Sequence, residues 1–219
     1  MRLPLPKPDN SNRESNHIGE VIETSTTEFL AQCLEPEELD FPKMPPFGSW
    51  VKSFDEQSGN KILSLVSNVT TAPIDSVHRA RALGLTLAEL KDQQPQIFAM
   101  IKTEFRAVII GFEAPSEGSS QGGIFQYLPP RPPQIHQAVF LAEPEEITNF
   151  TNNPDFLRVL LQLQNTPVES LIAATLRESY RLRGGDREWL VNAGRTLSVL
   201  LKNDYDCLKY ILSQVQLVG

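Results

Sequence analysis

Ile18-Gly-Glu-Val-Ile-Glu-Thr-Ser-Thr-Thr-Glu-Phe-Leu-Ala-Gln-Cys-Leu34 alternates apolar and polar residues on both sides of a Ser-Thr-Thr turn. Side chains of a strand point to opposite faces in turn, so this pattern predicts two half-buried strands joined as a hairpin or a bent pair. Outward from it, Met44-Pro-Pro-Phe-Gly-Ser-Trp-Val-Lys-Ser-Phe54 reads as a turn and a short strand. Ser58-Gly-Asn-Lys61 is a tight turn into the apolar run from Ile62 to Thr70. Phe105 to Glu113, Gly123 to Leu128 and Ala138 to Ala142 supply further strands. Short strands punctuated by Gly and Pro predict a small closed barrel of about six strands rather than a parallel sheet.

One helical insert near residues 86–104 interrupts the strands. Thr86-Leu-Ala-Glu89 has the spacing of a capping box, and Pro95 suits the first turn of a second short helix reaching about Thr103. Proline use divides the chain more broadly: of 17 prolines only Pro154 and Pro167 lie beyond residue 150. Proline lacks an N–H and resists helix interiors, so loops and strands come first and helices follow. Asn153-Pro154 and Thr166-Pro-Val-Glu169 read as helix starts, Gly184-Gly185 as a stop, and Asp186 and Asp204 as caps. The prediction is an α+β protein: a tail over 1–16, a barrel domain over 17–150, and a four-helix unit over 151–219.

Composition narrows the function. Residues 1–150 carry 12 Lys+Arg against 20 Asp+Glu, and residues 151–219 carry 8 against 7, for a net charge of −7. Neither part offers the basic surface that releases counterions from a nucleic-acid backbone, so no nucleic-acid partner is expected. No apolar run is long enough to span a membrane, and the N-terminus lacks a signal-type apolar core, so a cytoplasmic location is expected. Cys33 and Cys207 stand apart, outside any metal-binding spacing, and read as reduced thiols.

Catalytic motifs are missing from the sequence. There is no phosphate-binding G-x-x-x-x-G-K-[ST] loop and no G-x-G-x-x-G; the cluster Gly118-Ser-Ser-Gln-Gly-Gly123 leads into a strand instead of a helix. His17, His78 and His136 are isolated, and no nucleophile motif occurs. No cofactor is expected, and no enzyme activity. Two features invite a partner. Leu128-Pro-Pro-Arg-Pro-Pro133 is a stiff, extended rod that presents Pro129, Pro130 and Arg131 to a docking protein or simply leads into the last strand. Arg177 and Arg181, four apart on one helix, head a set with Arg183, Arg187 and Arg195. They would clamp an anionic partner or join a salt-bridge network with Glu178, Asp186 and Glu188; the network is preferred.

The hairpin at 18–29, Phe47-Gly-Ser-Trp-Val51, the strand from Ile62 to Val69, and Pro129-Pro-Arg-Pro-Pro133 with Ala138-Val-Phe-Leu141 together resemble the HAS-barrel. That small barrel is shared by HerA-type DNA translocases and the catalytic subunits of rotary ATP synthases. The whole chain also resembles compact cyanobacterial HAS-barrel proteins. In the translocases and synthases the barrel precedes a P-loop ATPase and helps tie subunits into a ring. Residues 143–219 hold no phosphate loop, so ATP-driven translocation is not expected to carry over. The expectation is a non-enzymatic protein-binding adaptor or assembly module, with an accessory subunit of a DNA-processing machine as the alternative. Its partner would be another protein, and homo-oligomers are compatible with the reading.

Overall fold

The computed structural model describes residues 14–36, 40–74, 81–115, 123–164 and 166–215. The predicted tail as far as Arg13, His78, and residues 118–122 of the glycine cluster lie outside the described residues. The alternating stretch forms β1 (His17–Thr24) and β2 (Glu28–Cys33), an antiparallel hairpin. Ser25 closes its turn by donating its hydroxyl to the Glu28 carbonyl at 2.9 Å. A second hairpin joins β3 (Trp50–Asp55) to β4 (Asn60–Pro73). Then come β5 (Ile101–Glu113), β6 (Ile124–Phe125) and β7 (Ala138–Leu141). The neighbours run β2-β1-β7-β3-β4-β5, and β5 returns to pair with β2. Six strands thus close into a barrel, and β6 lies outside the ring on β5. The β4–β5 register slips between Leu63 and Ser64 and again between Val66 and Asn68. Such bulges bend the paired strands and help a sheet curl shut.

Because successive side chains alternate, the long strands feed two apolar cores. Phe29, Val51, Ile62, Phe105, Ile109 and Val139 fill one with other barrel residues. Trp50, Leu63, Leu65, Val108 and Ile110 turn the other way and join a core completed by the helices.

The insert contains α1 (Leu87–Gln93), opened by the expected box: Glu89 N donates to Thr86 Oγ1 at 3.3 Å and Thr86 N to Glu89 Oε2 at 2.8 Å. The second piece is a 3-10 helix over Pro95–Met100. It stops short of Thr103 because Ile101 already pairs with Pro73 in the β5 ladder. The strand expected over 123–128 shrinks to Ile124–Phe125, since Gln126 is drawn off by the Phe150 and Asn153 carbonyls at 2.6 and 2.8 Å.

The helices are α2 (Pro144–Phe150), α3 (Phe156–Leu160), α4 (Val168–Leu182), α5 (Arg187–Leu200) and α6 (Tyr205–Gln214). α2 was not predicted; it starts at a proline behind Glu143, whose N–H donates to Glu146 Oε2 at 2.9 Å. Two expected starts shift. Asn153 spends its amide on Asp155 Oδ2 at 2.6 Å, and α3 begins only at Phe156. Pro167 itself occupies the cap position of α4, so the Thr166 box does not form. The other signals hold. Gly184 and Gly185 take φ of +67° and +84°, and Gly185 N donates to Tyr180 O at 3.0 Å. Asp186 accepts from Trp189 N at 3.0 Å, and Asp204 from Cys207 N at 3.1 Å. No helix among the described residues is long and apolar enough to cross a membrane.

Candidate functional site

The Gly-Ser-Trp-Val stretch welds barrel to helices. Gly48 has φ +79°, and a Cβ added there would lie 2.6 Å from the Ala174 Cβ on α4. Trp50 donates its indole N–H to Ser179 Oγ at 3.1 Å and meets the rings of Phe150 and Phe156 edge-on at 5.6 Å. Val51 turns into the barrel core. A polar weld lies alongside. Glu146 on α2 accepts from Lys52 Nζ at 2.8 Å and from Lys61 Nζ at 2.9 Å, and Lys61 also reaches Glu113 at 2.8 Å. Burial alone would raise the Glu146 carboxyl; the Lys52 and Glu143 hydrogen bonds and the Lys61 charge outweigh it and hold it below the ordinary carboxylate value.

Of the residues singled out from the sequence, Pro129 is buried and Pro130 exposed. Arg131 bends back onto the barrel: its Nε donates to Asp55 Oδ2 at 3.0 Å, and a terminal nitrogen bonds Gln57 Oε1. Asp55 is 1% exposed. Burial pushes its carboxyl up, but Ser58 Oγ at 2.6 Å, Gln57 N at 3.2 Å and the Arg131 guanidinium bring it below its usual value. The rod is thus stapled to the β3–β4 turn through its arginine. Arg177 donates to the Gln214 carbonyl at the end of α6 at 2.9 Å. Arg181 grips Glu178 on its own helix at 3.0 and 2.6 Å. These five residues share no hydrogen bond or ion pair with one another. Arg183 bonds the Thr148 carbonyl and Asn152 Oδ1 at 2.6 and 2.9 Å while lying 4.9 Å over the Trp189 ring. Trp189 is buried and donates to the Thr151 carbonyl at 2.7 Å.

A groove of about 1180 Å³ opens where barrel and helices meet. Met44, Pro45, Pro46 and Phe47 line it from the loop before β3, and Gln162, Leu163, Gln164, Thr166 and Pro167 from the α3–α4 linker. Barrel strands contribute Glu28, Ser67, Asn68, Val69, Arg106 and Val108. Met44 and Phe47 are 59% and 39% exposed. Arg106 and Glu28 neutralise each other at 2.7 Å. Sequence reasoning saw a turn at Met44–Phe47 and only a helix start at Thr166–Pro167, and joined neither to a groove. The available signal was two prolines between large apolar residues, followed by a glycine. Among the described residues no group of three His, Cys, Asp or Glu stands close enough to hold a metal ion.

Residues 18–113 match the family of the HAS barrel domain. No curated protein matches the chain.

Proposed function

This chain carries a HAS barrel domain over residues 18–113, and from that premise we propose that it is a non-enzymatic protein-binding adaptor or assembly module. The observation that carries the reading is the junction groove, with exposed Met44 and Phe47 on one wall and side-chain amides of Gln162 and Gln164 on another. Its volume of about 1180 Å³ exceeds the usual ~300–1,000 Å³ of small-molecule clefts. An apolar wall beside amide groups suits a polypeptide, which presents side chains and backbone together. The two ion-paired carboxylates favour the same reading. Asp55 is tied to Arg131, and Glu146 to Lys52 and Lys61, so neither is poised as a base. An accessory subunit of a DNA-processing machine would be one such adaptor, reaching the machine through protein.

The test is capture on the tagged chain from its own cells, beside a Met44→Asp, Phe47→Asp double variant. A defined protein partner retained by the parent and lost by a variant of unchanged melting temperature is expected. Recovery of nucleic acid, or of no protein specific to the parent, overturns the reading.

A further inference from the structure

Strand β4 outruns its neighbour on one side. β3 accompanies it only to the Trp50↔Leu65 pair, and two more bonds end the seam: Val66 N to Ser49 O at 3.0 Å and Gly48 N to Val66 O at 2.8 Å. There Gly48, in the left-handed region, turns the chain away, and Ser49 N closes the turn on Pro46 O at 3.1 Å. β4 continues to Pro73 beside β5. Ile74 N donates to Met100 O at 2.9 Å, and Ala72↔Lys102 and Thr70↔Glu104 keep that register. Beyond the register slip at Val66/Asn68, even-numbered residues from Asn68 to Ile74 therefore exchange hydrogen bonds with β5, and the intervening ones aim their backbone groups outward. By that alternation Val69 and Thr71 turn their N–H and C=O groups away from β5, to a side where no strand among the described residues pairs with them. Val69 lines the groove that Met44–Phe47 border, and Thr71 is exposed.

We propose that this open edge takes an extended, lysine- or arginine-bearing segment of a partner protein as an added strand beside β4. The inference rests on the protein-binding reading above and specifies its chemistry. An unpaired strand edge is a template for another strand, with backbone bonds giving affinity and alternate side chains giving selectivity. Charge decides the sign of the partner. Residues 1–150 carry a net −8, and exposed Glu35 precedes the loop that forms the groove wall, as does Asp40, which shares its charge with Lys91 at 3.5 Å. A basic segment is drawn to that field and an acidic one repelled.

Selection from a random linear peptide library on the intact chain supplies the probe. The selected peptide is resynthesised with N-methyl groups on alternate amides, in both phases. Only alternate amides of an added strand face β4, so one phase is expected to lose at least about tenfold in affinity and the other to keep it. Thr71→Pro blocks the edge while sparing the backbone bonds to β5, at the loss of the Thr71–Thr103 hydroxyl contact of 2.9 Å, and should weaken the unmodified peptide similarly. Equal affinity in both phases, acidic winners, or failure to select any peptide overturns the inference. If both phases bind equally but Met44→Asp, Phe47→Asp abolishes binding, the edge falls and the protein-binding groove stands. Because N-methylation alters only the peptide, a misfolded variant cannot imitate the expected result.

Discussion

Trp50 and Ser179 lie 129 positions apart and meet across the barrel–helix seam, indole N–H to hydroxyl oxygen at 3.1 Å, both buried. This contact joins strand β3 to the C-terminal part of α4. Trp50→Phe leaves the hydroxyl without its donor and is expected to cost about 1–3 kcal/mol, whereas Trp50→Ala should cost about 3–5 kcal/mol by emptying the ring site. Urea unfolding of the single variants, Ser179→Ala and the Trp50→Phe, Ser179→Ala pair measures the coupling. Strict additivity would show that the bond contributes nothing.

Gly48 and Gly184 separate two penalties. Both hold positive φ, but a Cβ at Gly184 meets nothing within 4 Å, while one at Gly48 strikes Ala174. Gly184→Ala should cost about 1–2 kcal/mol for backbone strain alone. Gly48→Ala adds about 1–3 kcal/mol of overpacking and loosens α4 from the barrel. Thermal unfolding orders the two; equal losses would show that α4 yields freely at that contact.

Acid should act through Asp55 and Glu146. Both carboxyls are held below their ordinary values. A carboxyl depressed in the folded state contributes stability that is complete above its unfolded pKa, near ~4, and is lost as pH falls through the folded value. Unfolding free energy should therefore fall below about pH 4, and Asp55→Asn should flatten that fall while lowering stability at neutral pH. An unchanged acid limb in Asp55→Asn would assign the loss to other groups.

The two thiols should part company under a labelling reagent. Burial pushes Cys33 up to about 11, inside the barrel core. Cys207 is half-buried; its thiol is also raised, by burial and then by Asp204 and Glu169. Labelling requires thiolate and access. Native protein should label slowly at Cys207 and at Cys33 only on unfolding, read by mass spectrometry. Fast native labelling of Cys33 would mean that the barrel opens.

The barrel was legible because alternation is strong: Phe29/Ala31, Ile62 and Phe105/Ala107 fall on one face of their strands as the pattern demands. Helix stops and the aspartate caps were legible because each acts within a few residues. α2 went unread because its cap is an acidic residue followed by proline, and Thr166 misled because Pro167 took the cap position for itself. The groove left little trace for a different reason. It is made by what the chain does after Gly48, and the departure from β4 is a tertiary event anchored on Ala174. Arg131 and Arg177 were visible as charges, but their partners, Asp55 and the Gln214 carbonyl, lie 76 and 37 positions away, whereas Arg181 takes the neighbouring Glu178 that its spacing suggested.

β7 has a consequence for the order in which the protein is born. The strand sits between β1 and β3, pairing His17↔Phe140 on one flank and Val51↔Leu141 on the other. Until it arrives, both of those strands face water with unpaired backbone, however well the earlier hairpins have set. A nascent chain released from the ribosome only as far as Glu113, where the family match ends, holds five staves and a gap. The cylinder can shut only when Leu141 has cleared the exit tunnel. A fragment cut at the apparent domain border is therefore expected to stick to its own kind along that gap, whereas one ending just past Leu141 closes on itself.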